Sequence, residues 1–254
     1  MFEKIYCIQF LDSPQRRKFM SKQFKDYNLN VEFINAIDFK KLAFFKIIKK
    51  KRMPSFFHKI LGCALSHYTC VKSAKSLGYK NVLILEDDIC FLKNKNVFNS
   101  YLNNLPKDWD IIRFAFTTDY NENYLNHYEL FNSIKTNDKY IKINNLFSDT
   151  FRTNNAGSYA LNEKAIDFYL ESFENSGLIE ADTMKYIFNN FNSSPFKTYT
   201  SKIGLMYQQI CFPKTSNNTK PYFVKFAAPL HNINPNDFNT PKEFLKSTIA
   251  GNVR

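Results

Sequence analysis

Three consecutive carboxylates, Glu86, Asp87 and Asp88, are the side chains of this sequence whose types and spacing most directly indicate chemistry. They end the apolar run Val82–Leu85, and Ile89 resumes the apolar pattern after them. A continuous apolar run predicts a strand buried on both faces, as in the parallel sheet of an α/β protein. Because adjacent carboxylates repel one another and resist burial, we expect a positive partner beside them.

A divalent metal ion is one such partner. In open α/β sheets, ligands bind outside the carboxyl ends of the strands, where this triplet is expected to lie. Side chains at i and i+2 of an extended segment point the same way, so Glu86 and Asp88 are expected to share one ion. Oxygen ligands suit Mn²⁺ or Mg²⁺, and so few carboxylates leave coordination positions for a diphosphate. The alternative is a solvated turn whose acids cap a helix.

Strand and helix patterns alternate along the chain up to this triplet. Strands are predicted at residues 4–10, 31–37 and 81–85, and helices at residues 14–27 and 57–77 between them. Ser13 and Pro14 are typical of a helix start, and Gly78 of a helix end. This order predicts an α/β fold with a mostly parallel central sheet and helices on both faces. Later strands are predicted at 110–116, 158–161 and within 199–210, and helices at 163–173, 182–190 and 241–249.

The composition is typical of a globular cytoplasmic protein. Of the 254 residues, 44% are apolar, and no apolar segment is long enough to predict a membrane-spanning helix. The sequence begins on a strand pattern without the basic and apolar regions of a signal peptide, so we expect it to stay in the cytoplasm. The five cysteines form no Cys-x-x-Cys pair, which predicts reduced, mostly buried thiols and no zinc site.

The formal net charge of +12 predicts an acidic partner, which nucleic acid, anionic lipid headgroups and phosphorylated glycans would all satisfy. Seven cations and no acid fall within residues 40–52. At helical spacing these cations would surround the helix rather than form one face. We therefore interpret this segment as a basic loop that contacts an anionic surface or substrate, and the alternative is a loop that is merely solvated.

Six sequence blocks occur between residues 5 and 182. They are IYCIQFLDSPQRR at 5–17, FINAID at 33–38, LGCALSH at 61–67, LILEDDI at 83–89, GSYALNEKA at 157–165 and EAD at 180–182. In this order they resemble glycosyltransferase family 25, the bacterial lipopolysaccharide or lipooligosaccharide glycosyltransferases related to collagen galactosyltransferases. One departure is Phe39, which follows FINAID where the family usually has glycine. Residues 211–254 carry no motif of the family.

The resemblance implies a GT-A-like domain, which we expect over residues 1–212, with residues 213–254 as a C-terminal extension packed on it or trailing from it. It also implies an inverting enzyme that needs Mn²⁺ or Mg²⁺. Such an enzyme would move a hexose, most often galactose, from a UDP-sugar to a lipooligosaccharide or lipopolysaccharide core. The basic surface would then attract this anionic glycolipid acceptor, which predicts peripheral association with the anionic inner membrane.

Roles follow for individual residues from the resemblance and from their positions. Asp88 is the first metal ligand and Glu86 the second, with His231 as a late third ligand. Asp182 is the expected catalytic base and Glu180 the reserve, although Asp182 is equally typical of a helix N-cap. Expected donor-binding residues are Arg16, Arg17, Ala36, Asp38, Ser66, His67, Glu86 and Asp87, and expected acceptor-binding residues are Asn154, Asn155 and Tyr159.

Two alternatives remain open from the sequence. The first keeps the fold and changes the donor to UDP-glucose or UDP-GlcNAc. The second is a basic nucleic-acid-binding protein, which the charge supports. No nucleic-acid-binding motif accompanies that charge, and carboxylates at a strand end repel phosphate when no metal is bound. We therefore expect no nucleic acid among the partners.

Overall fold

The computed structural model describes residues 2–10, 13–38, 55–119, 131–143, 153–176, 196–208, 227–229 and 237–239. The strands in these ranges are β1 Lys4–Gln9, β2 Glu32–Asn35, β3 Asn81–Glu86, β4 Ile89–Phe91, β5 Ile111–Asp119, β6 Tyr140–Lys142, β7 Thr153–Asn162, β8 Thr198–Ser201, β9 Met206–Gln208 and β10 Ala227–Pro229. The helices are α1 Pro14–Asp26, α2 Ser55–Ser76, α3 Lys95–Leu102 and α4 Glu163–Ser176.

One mixed sheet contains eight of these strands, in the order β2-β1-β3-β7-β5-β8-β6, with β10 paired to β5. β1 is parallel to both β2 and β3. β7 runs antiparallel between β3 and β5, and β8 is parallel to β5. Strands β1, β2, β3, β5 and β8 therefore point one way, which confirms a mostly parallel central sheet. β4 and β9 form a separate two-stranded sheet.

Helices cover both faces of the sheet, as the sequence predicts. Because side chains alternate across a strand, β1 and β3 each contribute to two cores. Ile5, Cys7, Leu83 and Leu85 join the core that contains residues of α1 and α3. The core on the opposite face, with residues of α2 and α4, contains Tyr6, Ile8, Val82 and Ile84. Val82 to Leu85 are all 0% exposed, so β3 is buried on both faces as its apolar run predicts.

The two predicted helix ends differ in how they are made. Ser13 occupies the N-cap position of α1, but its side chain makes no capping hydrogen bond. Gly78, with φ of +77°, ends α2. The Gly78 N–H donates to the Lys75 carbonyl and the Tyr79 N–H to the Ala74 carbonyl, each at 3.0 Å. This pairing is a Schellman motif, which needs the left-handed conformation that glycine adopts without strain.

Among the described residues, no helix combines the length and the apolar character that crossing a membrane requires.

Two elements next to the acidic triplet are absent from the sequence prediction. β4 is three residues long, too short for a periodic pattern, and α3 follows it. The Asn94 side chain caps α3 by accepting a hydrogen bond from the Val97 N–H at 3.2 Å. β7 is also longer than the predicted 158–161. The helices predicted at 182–190 and 241–249 lie outside the described residues.

Parts of the predicted C-terminal extension join the domain. β10 pairs antiparallel with the end of β5. Phe238 forms a β-bridge with Leu92, and the Lys93 N–H donates to the Asp237 carbonyl at 2.8 Å. Residues 227–229 and 237–239 are thus packed on the sheet domain, and the boundary at residue 212 stays a prediction.

Gln23 of α1 fixes the strand that follows the acidic triplet. Its Nε2 donates to the Ile89 carbonyl at 2.8 Å, and its Oε1 accepts from the Phe91 N–H at 2.8 Å. Gln23 is 3% exposed, so these bonds satisfy main-chain groups that have little access to water. One side chain therefore holds both ends of β4 against α1.

We predict that Gln23→Leu lowers the free energy of unfolding by about 2–4 kcal/mol, because it leaves a buried carbonyl and a buried N–H unsatisfied. Equilibrium urea unfolding measures the change. Gln15→Leu is the matched control, since Gln15 lies on the exposed side of the same helix, and we expect a change within about 0.5 kcal/mol. Equal stability of the two variants would show that Gln23 does not hold β4.

Candidate active site

The acidic triplet lies at one edge of the sheet, where several strands end. β1, β2 and β3 are parallel, so their carboxyl ends meet there. β7 runs the other way and begins at this edge. Because Ser158 pairs with Leu85, Asn154 and Asn155 lie beyond the carboxyl end of β3. The sheet thus brings the backbone of two expected acceptor residues to the same edge as Glu86.

Asp87 receives the positive partner that the sequence predicts. Its Oδ1 lies 2.7 Å from Nη1 of Arg16, and its Oδ2 accepts from the Phe10 N–H at 3.0 Å. Asp87 is 3% exposed. Burial raises the pKa of Asp87 above its ordinary value, although Arg16 and the Phe10 N–H both favour the charged form. The ion pair ties the turn after β3 to the start of α1 and the end of β1.

Glu86 faces the opposite helix, α2. Its Oε1 lies 3.2 Å from Nε2 of His67 and 3.9 Å from Sγ of Cys63. Nδ1 of His67 lies 3.0 Å from the Tyr159 hydroxyl, and the two rings stack with their centroids 5.6 Å apart. His67 is 2% exposed, whereas the Glu86 side chain is 23% exposed. Glu86 therefore stands at the open end of a buried chain of polar groups.

Asp88 lies in the two-residue turn between β3 and β4. It is half-buried, with its Oδ1 inaccessible to water. Because the strand ends at Glu86, the alternation rule for extended chains does not apply to Asp88, and that reason for a shared ion is wrong. By type, the carboxylates of Glu86 and Asp88 suit Mn²⁺ or Mg²⁺, since these ions bind proteins through one or two carboxylates together with phosphate oxygens and water.

Ser66 positions the segment that follows β2. Its hydroxyl donates to the Gly62 carbonyl at 2.6 Å and accepts from the Ile37 N–H at 2.8 Å. The Ala36 N–H in turn donates to the Gln9 carbonyl at 2.8 Å. Ala36 is half-buried and Asp38 is exposed just beyond it. The expected donor residues Ala36, Asp38 and Ser66 thus meet at the carboxyl end of β2.

Gln9, the last residue of β1, is a polar side chain in this region that sequence reasoning did not select. It is 5% exposed, and its Nε2 lies 3.4 Å from Oδ1 of Asn35. Its Oε1 is buried and accepts no hydrogen bond within the described part of the chain. A buried acceptor of this kind is costly unless a ligand or water supplies a donor.

Other expected site residues lie away from the roles that the sequence predicts for them or outside the described residues. The Tyr159 side chain was expected on the acceptor side, but it is 1% exposed and lies in the core beneath His67. This is because β7 is inserted between β3 and β5 and pairs Tyr159 with Ile84. The Arg17 guanidinium lies 4.4 Å from the ring centroid of Phe33, against β2. Asp182, Glu180 and His231 lie outside the described residues.

Cys63 is the second residue that sequence reasoning missed. Its spacing to His67 was the available signal, because residues i and i+4 of a helix share one face. Cys63 is exposed, whereas Cys7, Cys70 and Cys90 are buried. The prediction of mostly buried thiols therefore holds for the described cysteines, with Cys63 as the exception at the site.

The family model of glycosyltransferase family 25, described as lipopolysaccharide biosynthesis proteins, matches residues 2–185. The chain belongs to glycosyltransferase family 25. The matched range includes the strands β1, β2, β3 and β7, which meet at the edge of the sheet where Glu86, Asp87 and Asp88 lie; we call this the acidic edge. Family membership and the sheet topology agree on an α/β, GT-A-like domain.

Curated relatives share shorter stretches with the chain. A glycosyltransferase 25 family member of Aedes aegypti is 36% identical over 98 residues, which is 34% of this chain and 16% of that protein. The inactive glycosyltransferase 25 family member 3 of Mus musculus is 26% identical over 129 residues, 44% of this chain and 21% of that protein. The chain therefore spans about a fifth or less of these relatives' length.

The solved structures that the chain matches are distant in sequence. A glycosyltransferase involved in the glycosylation of the major capsid of PBCV-1 has a TM-score of 0.43 and 8% identity, covering 82% of this chain and 94% of its own. The apo form of mouse xyloside xylosyltransferase 1 has a TM-score of 0.28 and 13% identity, covering 77% of this chain and 76% of its own.

We predict that Arg16→Ala destabilises the protein by about 3–5 kcal/mol near pH 7, because it leaves the buried Asp87 carboxylate without its cation. A raised folded-state pKa makes the stability from this group greatest at low pH and reduces it as the pH rises through that pKa. Arg16 lowers the pKa of Asp87, so its removal raises that pKa further. The destabilisation should therefore shrink as the pH falls towards the ordinary aspartate pKa of about 3.9.

Arg17→Ala provides the matched control, with urea unfolding measured near pH 7 and near the ordinary aspartate pKa of about 3.9. Arg17 is exposed and its guanidinium lies over the Phe33 ring, and such a contact contributes about 0.5–1 kcal/mol. This smaller loss should not change with pH. If Arg16→Ala and Arg17→Ala lost the same stability at every pH, the buried ion pair would not be the interaction that holds the acidic turn.

Proposed function

We propose that this protein is an inverting, metal-dependent glycosyltransferase that moves a hexose from a UDP-sugar to an anionic glycan. The observation that carries the proposal is the acidic turn at the carboxyl edge of β1, β2 and β3. That edge is where ligands bind in open α/β sheets. The turn belongs to a chain whose family is described as glycosyltransferases. A transferase of this kind needs a place for a diphosphate and its counter-ion, and we assign both to this turn.

Mn²⁺ or Mg²⁺ bound at the turn would neutralise the diphosphate that leaves during transfer. Asp88 is the proposed first ligand, with Glu86 second and His231 third. Asp87 is engaged by Arg16 and the Phe10 N–H, so its role is to hold the turn in place. Arg16 acts in the same way, as a positioning residue, and does not need to reach the diphosphate.

The nucleoside of the donor would lie at the ends of β1 and β2. There, Asp38 is exposed and suited to a ribose hydroxyl, and Ala36 leaves room beside it. The buried Oε1 of Gln9 matches the N–H that a uracil ring presents, and the carboxamide can donate to the neighbouring uracil oxygen. Ser66 holds the segment between them through the Ile37 N–H. We therefore propose a uridine nucleotide as the donor.

Inversion at the sugar carbon requires a base on the face opposite the departing diphosphate. Asp182 is the proposed base, and Glu180 is the reserve. A carboxylate there would accept the proton of the acceptor hydroxyl as its oxygen bonds to the anomeric carbon and the bond to the diphosphate breaks. The sugar carbon carries positive charge in this transition state, as it does in glycosidases.

Galactose is the proposed hexose, with glucose and GlcNAc as alternatives on the same uridine nucleotide. The proposed acceptor is a lipooligosaccharide or lipopolysaccharide core, which agrees with the description of the family model. The net charge of +12 favours such a phosphorylated acceptor and peripheral contact with an anionic membrane surface. Asn154 and Asn155, at the start of β7, are the proposed acceptor contacts.

Release of UDP from a panel of UDP-sugars, with Mn²⁺ and with EDTA, tests the proposal. Slow hydrolysis of the donor reveals its identity without the acceptor. We predict metal-dependent release from one UDP-sugar, UDP-galactose first, and a loss of about 100-fold or more in Asp88→Ala, because the leaving diphosphate loses its charge stabilisation.

Asp26→Asn is the matched control, since it removes an exposed carboxylate at the end of α1, and it should release UDP at the wild-type rate. Calorimetry with UDP and Mn²⁺ separates binding from chemistry. A folded protein that neither binds UDP nor releases it from any sugar would overturn the transferase proposal.

The base assignment has its own test. We predict that Asp182→Asn lowers kcat for transfer by about 100- to 10,000-fold, because the amide cannot accept the hydroxyl proton. Affinity for UDP, measured by calorimetry, should be unchanged because the base faces the acceptor. Glu180→Gln is the comparison variant and should retain most of its turnover. If the two variants showed the reverse pattern, Glu180 would be the base.

A further inference from the structure

The side chains of Cys63, His67 and Glu86 converge at the edge of the sheet. Their ligand atoms all lie within 4.8 Å of one another. Cys63 and His67 come from one face of α2, four residues apart, and Glu86 comes from the end of β3. Cys63 is exposed, so solvent has access to the group. Three different ligand types from two elements thus point to one small volume.

The distances from the Glu86 carboxylate are close to those around a tetrahedral metal ion, and no pair of the three ligand atoms is more than 4.8 Å apart. Zinc binds thiolate, imidazole and carboxylate at about 2.0–2.3 Å, which separates neighbouring ligand atoms by roughly 3.2–3.7 Å. Here the Glu86 Oε1 lies 3.2 Å from the His67 Nε2 and 3.9 Å from the Cys63 Sγ. Small side-chain rotations would therefore place one ion among the three atoms. Three protein ligands leave a fourth position for water or another ligand.

The contact between Tyr159 and His67 supports the same interpretation. When a histidine binds metal through one ring nitrogen, the other nitrogen usually donates to an oxygen that fixes the ring. The Tyr159 hydroxyl lies 3.0 Å from Nδ1 of His67, which leaves Nε2 directed at Glu86. The buried ring of Tyr159 also stacks on the imidazole. The imidazole is thus already held in the orientation that a ligand needs.

We propose that Cys63, His67 and Glu86 bind one zinc-class divalent cation, which departs from the prediction of no zinc site that the cysteine spacing gave. A thiolate and an imidazole select Zn²⁺ or Co²⁺ over Mg²⁺, which prefers oxygen ligands alone. The site is therefore distinct in chemistry from the metal proposed at Asp88, although both include Glu86. A bound cation would link α2, through Cys63 and His67, to Glu86 at the end of β3. This proposal does not depend on the glycosyltransferase proposal, because its test measures metal binding and not transfer.

Cobalt binding to the full, untagged and reduced chain tests the site, after treatment with EDTA and removal of the chelator. A thiolate bound to Co²⁺ gives a near-ultraviolet charge-transfer band, and a tetrahedral site gives intense visible bands. We expect both to saturate at one Co²⁺ per chain and to disappear when Zn²⁺ is added. Excess Mg²⁺ should leave them unchanged. The wild-type protein should also melt at a higher temperature with Zn²⁺.

Matched variants test the thiolate ligand and the residue that holds the imidazole. Cys63→Ser should lose the charge-transfer band, whereas Cys211→Ser and Asp88→Asn should keep it. Tyr159→Phe keeps the stacked ring and loses the hydroxyl, so the affinity for Co²⁺ should fall by about 10- to 100-fold. Circular dichroism checks that each variant is folded. The proposal is overturned if the folded wild-type protein gives no charge-transfer band, or if the band remains in Cys63→Ser.

Discussion

The buried ion pair between Arg16 and Asp87 is the interaction on which the acidic edge depends. A carboxylate that is 3% exposed requires a cation and hydrogen-bond donors, and Asp87 receives both from the chain that follows β1. α1 must therefore start beside the end of β3. The same helix carries Gln23, which holds β4 on the other side of the turn. One helix thus fixes the strand after the triplet as well as the triplet itself.

Three adjacent carboxylates are tolerated because each has a different environment. Asp87 is directed to Arg16 of α1, and Glu86 is directed to His67 of α2. Asp88 occupies the turn between them. Asp87 is the first residue of the turn after β3, and its contact with α1 lies on the opposite side of the sheet from the contact of Glu86 with α2. The repulsion that the sequence predicts is thereby reduced, because Glu86 and Asp87 face opposite sides of the sheet.

Much of the fold follows from local patterns in the sequence. The apolar run of β3 and the helical spacing of α2 identify their elements because burial of a strand or a helix face imposes a fixed period. Gly78 marks the end of α2 because its left-handed conformation is local to the chain. β4 escapes prediction because three residues carry no period. The position of β7 between β3 and β5 escapes it because strand order is decided by packing and not by propensity.

The sequence by itself determined the family blocks, the acidic triplet at a strand end, and the need for a cation beside it. Only the tertiary structure decided that Arg16 meets Asp87 across 71 residues and that Tyr159 supports His67 across 92. It also decided that Cys63 approaches Glu86, a contact between a helix and a strand 23 residues apart. Periodicity reports which face of an element is buried, whereas contacts between elements depend on sheet order and helix placement, which no local pattern encodes.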